Sequence, residues 1–232
     1  MAGITFVCNP PNMAPWGAKV AGIHNSPLSI SVPAEQHQPI VLDMATSVVA
    51  GGKIALAVDK ETSIPLGWAL DTEGNPTTDP LQAAVLLPAA GPKGSGLAML
   101  MECLSSVLAG NPLLEPVLLG RESESKAFIK KEKELRDRPV FMHRHIQNSV
   151  VMALNIDNFT DVQRYKEHID HLIDGIKSLP KAEGVDEIMV PGEPEQRTAQ
   201  RRAREGIPIA QKTVSKLKAV AEKLDVKFPV GF

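Results

Sequence analysis

The chain has 232 residues, with 25 Lys+Arg against 27 Asp+Glu, six His, two Cys and a formal charge of -2. That length suits one large domain, or one domain with an appendage, and supports a core without covalent staples. The near-neutral balance excludes nucleic-acid binding by phosphate neutralisation alone, and the two cysteines, Cys8 and Cys103, exclude a disulfide framework.

Ile4 to Cys8 reads as a strand, because β-branched and aromatic residues run into Asn9-Pro10-Pro11. A long loop follows through Trp16-Gly17. Leu28 to Val32 alternates apolar residues with serine and stops at Pro33, the pattern of a half-buried strand. Ile40 to Leu42 is a further short strand, stopped by Asp43. Thr46 to Val58 is ambiguous, rich in alanine yet interrupted by Gly51-Gly52. Ile64 to Leu70 leads into a sharp turn at Asp71. Leu97 to Ala109 is the strongest helix of the front half; it is apolar on nearly every side and is expected in the core, with Gly110-Asn111-Pro112 as its stop. Its most apolar part, Leu97 to Leu108, carries Glu102 and is too short to cross a bilayer. The opening residues lack the basic segment of a signal peptide, so the expectation is a soluble, cytoplasmic protein with no membrane partner.

Arg121 to Arg138 mixes seven basic and five acidic residues, as a solvated helix or mobile connection does. Ser149 to Ile156 reads as a strand. Thr160 then caps a helix whose apolar residues Val162, Tyr165, Ile169, Leu172, Ile173 and Ile176 recur at helical spacing. Glu187 to Val190 reads as a strand entering Pro191-Gly192-Glu193-Pro194, and two basic helices end the chain near Glu195–Glu205 and Gln211–Leu224. Strands and helices mix without regular βαβ alternation, which disfavours a doubly wound sheet. The expected division is a core over 1–120, a charged connection over 121–148, and a strand with C-terminal helices over 149–232 completing the same fold.

Several segments have the composition of a site. In Leu87-Pro-Ala-Ala-Gly91-Pro92-Lys93-Gly94-Ser95-Gly96, glycines permit close approach, a helix start leaves N–H groups unpaired, and Lys93 adds a positive charge. That combination suits a phosphate or carboxylate, although the spacing fits neither the Walker loop nor GxGxxG, and a plain turn with a cap explains it equally. Asp43, Thr46 and Ser47 end a buried strand, either to meet a ligand or to cap the next element. Asp71 to Pro80 is turn chemistry. His143 and His145 share one face of a strand without a third metal ligand, and no GxSxG, HExxH or CxxC occurs, so no metal site is expected.

Taken together, Pro39–Ser47 (PIVLDMATS), Gly52-Lys53, Ile64–Asp71 (IPLGWALD), Gly74–Pro80 (GNPTTDP), Leu86–Gly110, Val190–Arg197 (VPGEPEQR) and Arg204–Ile209 (REGIPI) occur in an order that resembles the malate/L-lactate dehydrogenase family of the non-Rossmann type. Its AAGPKG and PTTDP segments are similar to those of the family's ureidoglycolate dehydrogenases. The resemblance implies a mixed α/β (α+β) fold with a largely antiparallel sheet and packed helices. It also implies an NAD- or NADP-dependent oxidoreductase interconverting a 2-hydroxy acid and its 2-oxo acid, working as a homodimer with no nucleic-acid partner. By the same resemblance Asn9, Asp43, Met44, Ala45, Lys93, Gly192, Glu193 and Pro194 are cofactor-binding residues.

The chain departs from the family in two places. Where relatives usually read GTNP, this chain reads His24-Asn25-Ser26-Pro27. By the resemblance, the family's catalytic histidine, and the His and Arg near the N-terminus of family members, belong to a part upstream of Met1, and none of the six histidines here sits in a matching motif. No catalytic residue is therefore assigned. The alternative expectation is a truncated or divergent member that binds cofactor, or pairs with another chain, without catalysis.

Overall fold

In β1 (Ala2–Cys8), Ile4, Phe6 and Cys8 alternate onto one face of an antiparallel sheet, and Phe6 and Cys8 are buried. β2 (Leu28–Val32), β3 (Ile40–Met44) and β7 (Asn148–Leu154) complete that sheet in the order β3-β2-β1-β7. The register sets Phe6 opposite both Leu28 and Val150, so these side chains build one cluster with Met101 from a covering helix. Residues 1–110 and 147–229 are described by this computed structural model. The charged run 121–138, with Asn111, Pro112, His143 and His145, lies outside them.

β3 does not stop before Asp43. That residue pairs with Ser29 in the ladder and stays exposed, so its carboxylate remains solvated while the backbone bonds continue to Met44. A second antiparallel sheet, order β5-β4-β6, joins β4 (Ala69–Leu70), β5 (Pro76–Thr77) and β6 (Val85–Leu86). Its connections are turn chemistry, as expected. Asp71 Oδ1 accepts from the Glu73 and Asn75 amides at 2.9 and 2.8 Å, and Thr77 and Asp79 accept from amides two residues on.

The ambiguous stretch resolves into a loop followed by α1 (Gly51–Lys60). Gly51-Gly52 form its first turn instead of interrupting it. Ala50 is the N-cap and makes no side-chain bond, so neither Asp43 nor Ser47 caps this helix. Ala57 packs with Ile64 and Ala69, seating α1 against the second sheet.

The helix expected at Leu97 begins at Pro92. α2 (Pro92–Glu102) continues into a π-helical turn over Cys103–Val107. Its expected burial all round is not observed. The inward side is Gly94, Ser95, Ala98, Met101, Glu102, Ser105 and Ser106, whereas Leu100, Leu104 and Leu108 are 62%, 55% and 78% exposed. A run that is apolar on every side carries no directional signal, and small residues won the inward face because the chain passes close there.

Strand β7 ends at Leu154, and a 3-10 turn over Ile156–Asn158 buries Ile156. α3 (Val162–Lys177) is capped by Asp161, not Thr160: the Asp161 carboxylate accepts from the Arg164 amide at 2.7 Å. Leu172 points outward, while Asp170 and Ile173 are buried. Glu187 to Val190 is not a strand. It lacks a ladder partner and is held by Lys177 Nζ on the Ile188 carbonyl and by the Val190 amide on Glu193. α4 (Glu193–Glu205) has no buried residue, and α5 (Gln211–Lys223) docks on α1 through Lys216 and Thr213, both bonded to Asp59.

One side chain fixes the loop before β3. Asp170 accepts the backbone N–H groups of Glu35, Gln36 and His37 at 3.2, 2.8 and 3.1 Å. Burial pulls its pKa upward, but these three donors outweigh that and hold it below the ordinary carboxylate range. The stability it supplies is therefore present above the ordinary aspartate pKa and lost as pH falls through the lowered one. Asp170→Ala is expected to lower the melting temperature by a few degrees and to speed hydrogen exchange at Gln36 and His37, measured by thermal melts and exchange; unchanged exchange there would refute the anchor.

Candidate functional site

The antiparallel order puts the C-terminal ends of β1 and β3 at the same end of the sheet, on either side of Leu28. Asn9 follows β1 and is half-buried; Met44 closes β3 and Ala45 follows it, both half-buried; Asp43 is exposed, and its carboxylate has no hydrogen bond or ion pair among the described residues. Two interstrand spacings separate these ends, about 9–10 Å.

The Lys93 bend reaches this sheet end through backbone contacts. The Ala89 amide donates to the Thr46 carbonyl at 2.9 Å, and the Val48 amide donates to the Leu87 carbonyl at 2.9 Å. Gly94 lies where the two segments meet. A Cβ there would stand 2.4 Å from the Thr46 oxygen and 2.5 Å from the Ala89 oxygen, which leaves room for glycine alone. Trp16 closes the other side: its ring lies against Gly91, and its backbone N–H donates to Ser95 Oγ at 3.0 Å.

The bend differs from its expected form in one respect. Its amides are not free, because Gly91, Gly94 and Ser95 donate to the carbonyls of Pro88, Ala89 and Gly91, and Pro92 has no N–H. The turn closes on itself once proline fixes the first helical residue. What it offers an anion is the Lys93 ammonium, which is exposed and has no ion-pair partner among the described residues. An unpaired cation and the exposed Asp43 carboxylate together form a donor and acceptor set that fits a phosphate and a sugar hydroxyl.

The C-terminal motif docks beside the same strand. The Val41 amide donates to the Pro191 carbonyl at 3.1 Å, and Gly192, at φ +93°, lies 3.2 Å (measured from a built Cβ) from Val41 backbone. Pro194 sits in the first turn of α4. Glu193 is committed elsewhere: it pairs with Lys177 at 2.8 Å and with Arg197, and accepts from the Val190 amide. In the same cluster the Arg197 hydrogen bonds, then Lys177, push Glu187 down to about 2. The structure thus joins the bend that bears Lys93 to the residues directly after Asp43, Met44 and Ala45, sets Gly192 beside Val41 of the same strand, and turns the Glu193 side chain into an ion-pair cluster.

Three features were missed by reading the sequence. Glu102 is buried and accepts from Ser106 Oγ at 2.9 Å; its only local signal is a serine four residues on. Cys8 is buried against Ser26 at 3.2 Å, and burial pushes its thiol pKa up. His24 is the third. Burial lowers its pKa to about 4, although a bond to the Val7 backbone opposes this, and its Nδ1 has no partner among the described residues. His37 instead pairs with Asp174 at 2.8 Å, and His168 and His171 are exposed on α3. Among the described residues no three His, Cys, Asp or Glu are grouped to hold a metal, and no helix is long and apolar enough to cross a membrane.

Two outcomes follow from this geometry. Gly94→Ala meets backbone on both sides and is expected to cost about 1–3 kcal/mol, read by denaturant melts; a neutral result would refute the contact. His24 is neutral in the fold, with a folded pKa of about 4 against an ordinary 6.5. Its contribution is complete above the ordinary value and declines as pH falls toward the folded one. His24→Gln is expected to flatten the fall in stability between those two values, measured by melts across that range, and an unchanged slope would refute it.

Comparison with known proteins agrees with this architecture. A family model described as malate/L-lactate dehydrogenase matches residues 1–218. The malate/(S)-sulfolactate dehydrogenase of Methanothermus fervidus is 32% identical over 229 residues, covering 98% of this chain and 60% of that protein. The ureidoglycolate dehydrogenase (NAD(+)) of Escherichia coli K12 is 32% identical over 207 residues, 89% of this chain and 54% of that one. The solved sulfolactate dehydrogenase from Methanocaldococcus jannaschii superposes with a TM-score of 0.71 at 31% identity, covering 98% of this chain and 60% of that chain. This chain therefore spans 54–60% of the length of these relatives. With a model match over nearly its whole length and the same mixed, antiparallel fold, the chain belongs to the malate/L-lactate dehydrogenase family.

Proposed function

We propose that this chain holds a nicotinamide dinucleotide, NAD or NADP, where β3 meets the Lys93 bend, as the cofactor-bearing part of a cytoplasmic dehydrogenase. Its substrate is a 2-hydroxy acid of the ureidoglycolate, malate or lactate type, interconverted with the 2-oxo acid. The observation that carries this reading is that an ammonium, Lys93, and a carboxylate, Asp43, both without side-chain partners among the described residues, lie on two segments locked together at Gly94. Lys93 neutralises phosphate charge, Asp43 accepts from a ribose hydroxyl, and the half-buried Met44, Ala45 and Asn9 line the sheet end. Gly192 and Pro194 close the margin beside Val41. Glu193 serves through its helix position and ion pairs, not through a free carboxylate. When bound, the nicotinamide supplies the hydride acceptor.

Oxidation of a hydroxyl carbon also needs a proton acceptor within hydrogen-bond reach of the oxygen. The described histidines do not meet that need as they stand: His24 is half-buried with its Nδ1 enclosed, His37 is engaged by Asp174, and His168 and His171 lie on α3. The base is then supplied from beyond the described residues, in this chain or a partner. A homodimer suits this, because α2 and the π-helical turn that follows it present Leu100, Leu104 and Leu108 outward and β7 forms the sheet edge. The same observations support the second reading, a chain that binds cofactor or pairs without turnover.

Titrating NADH and NADPH by fluorescence tests the cofactor assignment, with saturation expected in the wild type and binding weakened about tenfold or more in Lys93→Ala. No saturation with either nucleotide would overturn it. Assays with ureidoglycolate, malate, lactate and sulfolactate separate the two readings: cofactor reduction with any of them supports the enzyme, and binding without reduction supports the second.

A further inference from the structure

We infer that Asn25 is the positioning residue of this site, setting the Asn9, Ala45 and Lys93 segments relative to one another. The inference rests on the cofactor reading above. Asn25 is buried, 8% exposed, in the loop that precedes β2. Its backbone N–H donates to Asn12 Oδ1 at 2.8 Å, and its Oδ1 accepts from Asn12 Nδ2 at 2.9 Å. Its Nδ2 donates to Ser47 Oγ at 3.1 Å, and its carbonyl accepts from the Thr46 amide at 3.0 Å. One residue thus joins the loop after β1, which begins at Asn9, to the loop after β3, which begins at Ala45.

The chain of bonds continues to the cation. Thr46, bonded to Asn25 through its amide, offers its carbonyl to Ala89, and Ala89 accepts from Gly94, the residue after Lys93. Ser47, bonded to the Asn25 side chain, donates on to the Val49 carbonyl at 2.7 Å. A primary amide suits this node because it donates and accepts in one plane; a carboxylate lacks the donor, and an aliphatic side chain lacks both. Asn25 touches none of Asn9, Ala45 or Lys93 by these bonds. It acts on the site through Asn12, Ser47 and Thr46.

The test compares Asn25→Ala and Ser47→Ala with Ile64→Ala, a buried change in the separate cluster of Ala57, Ile64 and Ala69. All are measured in the full chain, well below their melting temperatures, for NADH affinity and for the emission spectrum of bound NADH. Asn25→Ala is expected to weaken NADH about tenfold and shift its bound emission, Ser47→Ala to do so by less, and Ile64→Ala to lower the melting temperature with affinity within about twofold of wild type. Should Asn25→Ala fail to fold, Ser47→Ala decides, since it removes the Nδ2 link, with the Ser47 bond to Val49, and leaves the Asn12 and Thr46 bonds to Asn25 in place. Wild-type affinity and emission in these variants, or equal weakening by Ile64→Ala, would overturn the inference. A wild-type protein that never saturates with NADH or NADPH would instead overturn the cofactor reading on which it rests.

Discussion

Backbone packed on backbone at Gly94 joins the strand end that bears Asp43 to the helix start that bears Lys93. The strand end bearing Asp43 and the helix start bearing Lys93 are far apart in sequence. They are fixed because a residue without a Cβ lets the Thr46 and Ala89 carbonyls crowd the first turn of α2. The bond from the Ala89 amide to Thr46 then holds the pair in register. Dispersion and a backbone bond do this without charge, and the side chains of Asp43 and Lys93 have no partner among the described residues.

That constraint explains the unusual inward face of α2. A helix pressed this close accepts Gly94, Ser95 and Ala98, and farther along it accepts Ser105 and Ser106 beside Glu102. The larger leucines are displaced to the outside, where they remain exposed. The π-helical turn at Cys103–Val107 lies on this stretch, and Ser105 Oγ bonds the Met101 carbonyl at 2.7 Å within it. Tight packing on one side and an apolar surface on the other are two consequences of one close approach.

Much of the fold was legible from local pattern. The strand at Leu28–Val32 followed from alternation, Ile4–Cys8 of β1 from its β-branched and aromatic residues, and the Asp71 turn from side chains that mimic backbone partners. Both final helices were legible from their polar composition and length. Errors arose where a nonlocal contact decided. Asp43 continued a strand because Ser29 lay opposite; Glu187–Val190 stayed irregular because ion pairs, not a ladder, held it. The apolar run after Leu97 misled for the reason just given. The candidate site was legible as a set of segments, through family resemblance, but not as a geometry. The amides of the Lys93 bend are spent within the turn, and the Glu193 carboxylate within its ion pairs, and neither fact is written in spacing. Asn25 has no local signature, since its partners at Asn12, Thr46 and Ser47 become neighbours only on folding.

The most direct test of this account is hydrogen–deuterium exchange of the whole chain with and without saturating NADH. The account predicts that residues 43–48 and 88–96 gain protection together, with a smaller effect over 190–196, because one ligand bridges segments already joined at Gly94. Protection confined to other surfaces, or a change over 43–48 with none over 88–96, would contradict it.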